Sequence, residues 1–108
     1  MILVTTETIA GARITETIGL VRGSTIRARH IGGDIMASLK TIVGGELHDY
    51  TKMLAEAREQ ALDRMSSEAA KLGADAVVAI RYTSAQTMQS AAEIVVYGTA
   101  VKFVKDGA

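Results

Sequence analysis

The chain has 108 residues and a mass of 11.4 kDa, enough for one domain over residues 1–108 and too short for a separate catalytic module. Twelve basic and twelve acidic side chains give zero net charge, which argues against a non-specific nucleic-acid binder. With no cysteine there is no disulfide, thiolate nucleophile, iron–sulfur cluster or Cys-type zinc site.

The first residues, Met1 to Glu7, lack the basic region of a secretion signal, and no apolar run approaches the ~20 residues that span a bilayer. The expectation is a cytoplasmic protein without a membrane partner. From Ile2 to Ala28 the chain reads as strands with turns or bulges: β-branched runs at Ile2–Thr6, Thr15–Val21 and Thr25–Ala28, broken by Gly11, Gly19 and Gly23. Two glycine pairs, Gly32-Gly33 and Gly44-Gly45, then bracket a short segment. Within it, Ile35, Met36, Leu39, Ile42 and Val43 recur at helical spacing behind Asp34 as N-cap, which predicts a short helix from Asp34 to Val43.

Glu46 to Leu72 is predicted as one long amphipathic helix. Its seam is Leu47, Tyr50, Leu54, Ala57, Ala61, Met65, Glu68 and Leu72, with Gly73 as its C-terminal stop. Ala57 and Ala61 are small enough to let it lie close on a sheet. Ala76–Thr83 and Ala92–Lys105 follow as an antiparallel strand pair, with the polar stretch Ser84–Ser90 as their connection. In the last strand Glu93, Val95, Tyr97, Thr99, Val101 and Phe103 share one face while Ile94, Val96, Gly98, Ala100 and Val104 share the other, so both faces are largely apolar. A strand apolar on both faces is covered on both. The composition is 48% hydrophobic and 4% aromatic, so the core is aliphatic, and the apolar surplus in so short a chain predicts that the second cover is another copy. The fold class is therefore α+β in two layers, one long helix on a small antiparallel sheet, with extra short strands and a short helix.

No dinucleotide, P-loop, zincin, nucleophile-elbow or EF-hand pattern occurs, so no motif names a reaction, and an enzyme is the weaker reading. His30, Asp34, Glu46, His48 and Asp49 flank the short helix. Imidazole with carboxylate suits a divalent metal such as zinc or nickel, although acids at a helix start also answer the positive end of its dipole. Arg27, Arg29 and His30 before Gly32-Gly33 could hold an anion, but Asp34 competes for that place.

Arg58 stands beside the Ala57–Ala61 seam, where its guanidinium can reach a carboxylate or a ligand at an interface. Tyr50 and Tyr97 are the companion candidates for an interface or ligand site. An enzyme would need Tyr50, Arg58 and a carboxylate to meet in an interface pocket. A structural adaptor would instead offer the acidic helix face at Glu56, Glu59 and Asp63 to a partner protein.

Several motifs in fixed order carry a resemblance: Asp34–Leu47 (DIMASLKTIVGGEL), Tyr50-Thr51, Ala57-Arg58, Met65, Gly73–Val78 (GADAVV) and Tyr97–Val101 (YGTAV), preceded by Thr5-Thr6, Gly11, Gly19–Val21 and Gly23. Over nearly its whole length the chain resembles the YbjQ-like family, designated "putative heavy-metal-binding proteins". The resemblance implies a dodecin-like β-α-β-β core assembling as a ring-shaped homopentamer, with heavy metal or a small ligand at the subunit interfaces. Without cysteine, such a metal would rely on His, carboxylate or Met.

Overall fold

A computed structural model of the chain describes residues 1–28, 45–88 and 91–107, with backbone only at 27–28, 45–50, 86–88 and 91–92. Four strands and one helix follow in the order β1 (Ile2–Leu3), β2 (Ala12–Ala28), α1 (Gly45–Lys71), β3 (Ala76–Met88) and β4 (Ala91–Lys105). The sheet order is β1-β3-β4-β2, with β1 parallel to β3 and both other pairings antiparallel. The expected α+β class holds, and the sheet is mixed at its β1 edge. The predicted short helix, Asp34 to Val43, lies outside the described residues.

β2 is one strand of 17 residues, where the sequence suggested separate runs. Gly23 does not turn the chain. A Cβ built there would lie 2.5 Å from the backbone nitrogen of Met65 and closer still to the carbonyl oxygen of Ala61. The helix backbone therefore rests on β2 at a point where only glycine leaves room. Two bulges, at Thr15 and Ile18, absorb the register shifts against β4.

The 27-residue helix packs chiefly over β2 and β4. Its buried stripe is Ala57, Ala61, Met65 and Ala69, with Leu54 and Leu62 partly buried beside it. The sequence reading followed Glu68 and Leu72 instead. Both are exposed, Leu72 at 51%, because strict four-residue spacing carries the stripe through Ala69. At the C-terminus, Ala74 N–H donates to Ala69 O (3.1 Å) and Gly73 N–H to Ala70 O (3.0 Å). This is a Schellman stop, with Gly73 at φ 80°.

β3 continues to Met88, through most of the polar stretch expected to connect the last two strands, because Ser84, Ala85 and Gln86 pair with Ile94, Glu93 and Ala92. Backbone pairing needs no apolar side chain. Ala79 (φ 55°) and Ile80 together stand opposite Gly98, a bulge that turns Ile80 and Tyr82 toward the helix. The N-terminal segment follows this bulge past β1. Val4 N–H donates to Val77 O (3.0 Å), Ile80 N–H to Val4 O (3.1 Å) and Ala79 N–H to Thr6 O (2.8 Å).

Two apolar clusters result. Between helix and sheet lie Val21, Val77, Ile80, Ile94, Val96 and Ala100 with the helix stripe. On the opposite face, at one end, Ala76, Val78 and Val101 are covered by Val4, Ile9, Ile14 and Phe103. Beyond that end no element among the described residues covers the face. No helix among the described residues is long and apolar enough to cross a membrane.

Candidate functional site

Antiparallel register sets the open face row by row. Arg22 pairs with Tyr97 and Tyr97 with Arg81, so these three side chains form one row across β2, β4 and β3. Ser24, Val95 and Thr83 form the next row, and Ile26, Glu93 and Ala85 the third. On the other side of the arginine row, Leu20 sits opposite Thr99. Leu20 is 65% exposed, Ile26 63% and Tyr97 40%. Tyr97, an expected interface or ligand residue, thus stands at the centre of an uncovered face between two guanidiniums. Arg81 also ties down the N-terminal segment, its Nη1 donating to Thr5 O and Ile80 O, both at 2.8 Å.

Arg58, the second such candidate, is exposed on the flank of α1 nearest β3. Its companion is Tyr82. Burial pushes the Tyr82 phenol above its ordinary value of 10.0, Glu59 adds to the rise, and Arg58 opposes it. Phenol, guanidinium and carboxylate therefore share one field where the helix leaves β3 uncovered. Tyr50, the phenol named from the sequence, lies on the first turns of α1, where only the backbone is described. The opposite helix flank is fixed by Arg64, whose Nη1 donates to Ser24 O at 2.6 Å.

The metal candidates divide in the same way. His30 and Asp34 lie outside the described residues, and Glu46, His48 and Asp49 belong to the first turns of α1, described by backbone alone. Among the described residues no group of three His, Asp or Glu side chains comes together. What they supply is carboxylates spread along a solvated helix.

The sequence reading did not pick out Arg22, Arg81 or Tyr82 as partners of the named candidates. The signal was the strand register: once Tyr97 is aligned with Arg22 and Arg81, the row follows. The β3 bulge hid it, because it shifts the alternation by one residue. Thr25 was also missed. It is 3% exposed beneath the helix, and its hydroxyl has no hydrogen-bond partner among the described residues.

The family model described as "Putative heavy-metal-binding" matches residues 1–104. A UPF0145 protein of Methanosarcina acetivorans is 58% identical over 104 residues, covering 96% of this chain and 98% of its own. A UPF0145 protein of Archaeoglobus fulgidus is 56% identical over 102 residues, covering 94% of each. A solved structure from Pediococcus pentosaceus, a protein of unknown function in the DUF74 family, matches with a TM-score of 0.67 at 16% identity. It covers 96% of this chain and 98% of that one, and supports the fold. The chain belongs to the YbjQ-like family, described as "Putative heavy-metal-binding", whose relatives carry the name UPF0145 protein.

Proposed function

We propose that this chain is the subunit of a ring-shaped homo-oligomer, five copies in a dodecin-like arrangement, whose ligand sites lie at the subunit boundaries. The observation that carries this reading is the open sheet face: α1 covers one side of the sheet, while Leu20, Ile26 and Tyr97 stay in solvent on the other. The surface area supports it. The chain exposes 6853 Å², against about 5,800 Å² for a compact monomer of this mass. Its radius of gyration is 17.7 Å, where a compact domain of this length has about 13 Å.

Native mass spectrometry of protein purified without added metal is the test, since it reports copy number and retained ligand mass together. A five-subunit species is expected; a monodisperse monomer at micromolar concentration overturns the reading. The family description favours a heavy metal as the ligand; the donors this reading assigns are His30, Asp34, Glu46, His48 and Asp49, with zinc or nickel as the ion. Calorimetry near neutral pH should then show heat that His30→Ala and His48→Ala remove. Heat that survives both substitutions, or none with zinc or nickel, removes the metal reading and leaves the ring.

A further inference from the structure

The two broad exposed faces of this subunit carry opposite charge. At the centre of the open sheet face is the row Arg22, Tyr97, Arg81. The hydrogen bonds of Arg81 go to neutral carbonyls, which leave its charge uncompensated. Glu93, the acid on that face, lies four residues along β4 from Tyr97, about 13 Å away. On the far side of the two-layer sandwich, the outward face of α1 carries Glu56, Glu59 and Asp63 at successive helical turns, all exposed, with Ala55 among them and Lys52 as the one base at its N-terminal edge, so the patch stays acidic by two charges.

Each face therefore repels a copy of itself and attracts the other. A two-fold contact of sheet on sheet would set the arginine row of one copy against that of its partner, and helix on helix would do the same with the acids. We propose that copies join head to tail: the Arg22–Tyr97–Arg81 row of one subunit docks on the Glu56, Glu59 and Asp63 face of the next. Leu20 and Ile26 close over the aliphatic stems and over Ala55 at the rim of the contact. Because the two patches lie on opposite sides of one subunit, the contact is heterologous and closes as a ring when the rotation allows. The inference rests on the ring reading and names the surfaces that build it.

Charge reversal separates the two. Wild type is compared, by native mass spectrometry and sedimentation at micromolar concentration, with Arg22→Glu, with the double variant Glu59→Arg/Asp63→Arg, and with one chain carrying all three substitutions. Circular dichroism checks that each variant keeps its fold, as exposed positions allow. Each parental variant should dissociate, with Kd raised at least about tenfold, and the combined variant should assemble more tightly than either parent, since position 22 again faces charges of opposite sign at 59 and 63 while Arg81 and Glu56 are common to all four chains. Recovery of assembly cannot come from misfolding. If wild type is a ring and either parental variant assembles unchanged, or the combined variant stays dissociated, head-to-tail docking is overturned and the ring stands. A monomeric wild type overturns both.

Discussion

Replacing Gly23 with alanine tests how the two layers are held together. The new Cβ would meet Met65 N at 2.5 Å, Arg64 Cβ at 3.0 Å and the Ala61 carbonyl oxygen closer still. Two of these atoms are helix backbone, so no rotamer change relieves the clash, and α1 must retreat by about 1 Å to restore ordinary contact distances. The stripe Ala57, Ala61, Met65 and Ala69 is wholly buried; at about 0.8 kcal/mol per methyl and about 2 for methionine it contributes roughly 4 to 5 kcal/mol. A gap of that width forfeits a quarter to a half of each contact, about 1 to 2.5 kcal/mol. Residual strain adds about 1 to 3, and the backbone entropy recovered by losing a strand glycine returns about 0.5 to 1. Gly23→Ala should therefore destabilise the chain by about 1 to 5 kcal/mol, readable as a lower urea midpoint at unchanged m by circular dichroism. Trimming Ala61 to glycine as well should not rescue it, because the obstructing atoms are main chain. A loss under about 0.5 kcal/mol, or rescue by Ala61→Gly, would refute the proposed seat of the helix.

Gly98→Ala makes the contrasting case. Its Cβ would come closest to a side-chain atom, Val77 Cγ1 at 2.6 Å, with the Val78 carbonyl oxygen at 3.0 Å and Ile80 Cγ1 at 3.1 Å behind it. Its cost of about 1 to 3 kcal/mol should fall in the background of Val77→Ala, so a double-mutant cycle should show coupling. Thr25→Val should stabilise by about 1 kcal/mol, because it replaces a buried hydroxyl without a partner among the described residues by a methyl of the same shape; a destabilised variant would mean that the hydroxyl is bonded in the assembled protein. Ala79 holds a left-handed φ of 55°. Ala79→Gly should leave the urea midpoint level or raise stability by up to about 1 kcal/mol, and Ala79→Val should lower it by more than that. For Tyr82, burial first and Glu59 second raise the folded phenol above 10.0, against an opposing Arg58. Its stabilising contribution is complete below pH 10 and is lost as pH rises through the folded value. Phenolate absorbance should show a late-titrating tyrosine that Tyr82→Phe removes, Glu59→Gln moves down and Arg58→Ala moves further up.

The long helix was legible because one strong period runs through 27 residues and ends on a glycine whose role is unambiguous. Its exact seam was not. Glu68 at a seam position was a visible conflict, and moving to Ala69, one residue on, would have resolved it. In the sheet, the strands as segments could be read from β-branched residues, yet Gly23 read as punctuation when it is the point where helix backbone touches strand. Composition cannot separate these roles, because both require a missing Cβ. Pairing partners were hidden for a related reason. Tyr97 was named as a candidate, but a bulge at Ala79 and Ile80 decides that Arg81 shares its row and Tyr82 does not. A bulge leaves little trace in a single sequence when its left-handed residue is alanine.

The distribution of side-chain size ties the fold to its proposed use. Between helix and sheet, the sheet contributes Val21, Val77, Ile80, Ile94 and Val96, but the helix meets them with Ala57, Ala61 and Ala69 and one large side chain, Met65, over Ala100 and a bare glycine. Leu20, Ile26 and Tyr97 point outward. Small residues inside bring the layers close and make the closed face thin, so its burial yields little free energy per residue. Large residues outside hold the apolar area that remains, and on the open face that area surrounds a charged row able to choose its partner by sign. If a second copy covers that face, folding and assembly draw on the same surface, and stability rises with protein concentration as mass action requires. The glycine seat beneath the helix and the open face behind it belong to one arrangement: a helix of small residues lies close on one side of the sheet, and Leu20, Ile26 and Tyr97 stand on the side it does not cover.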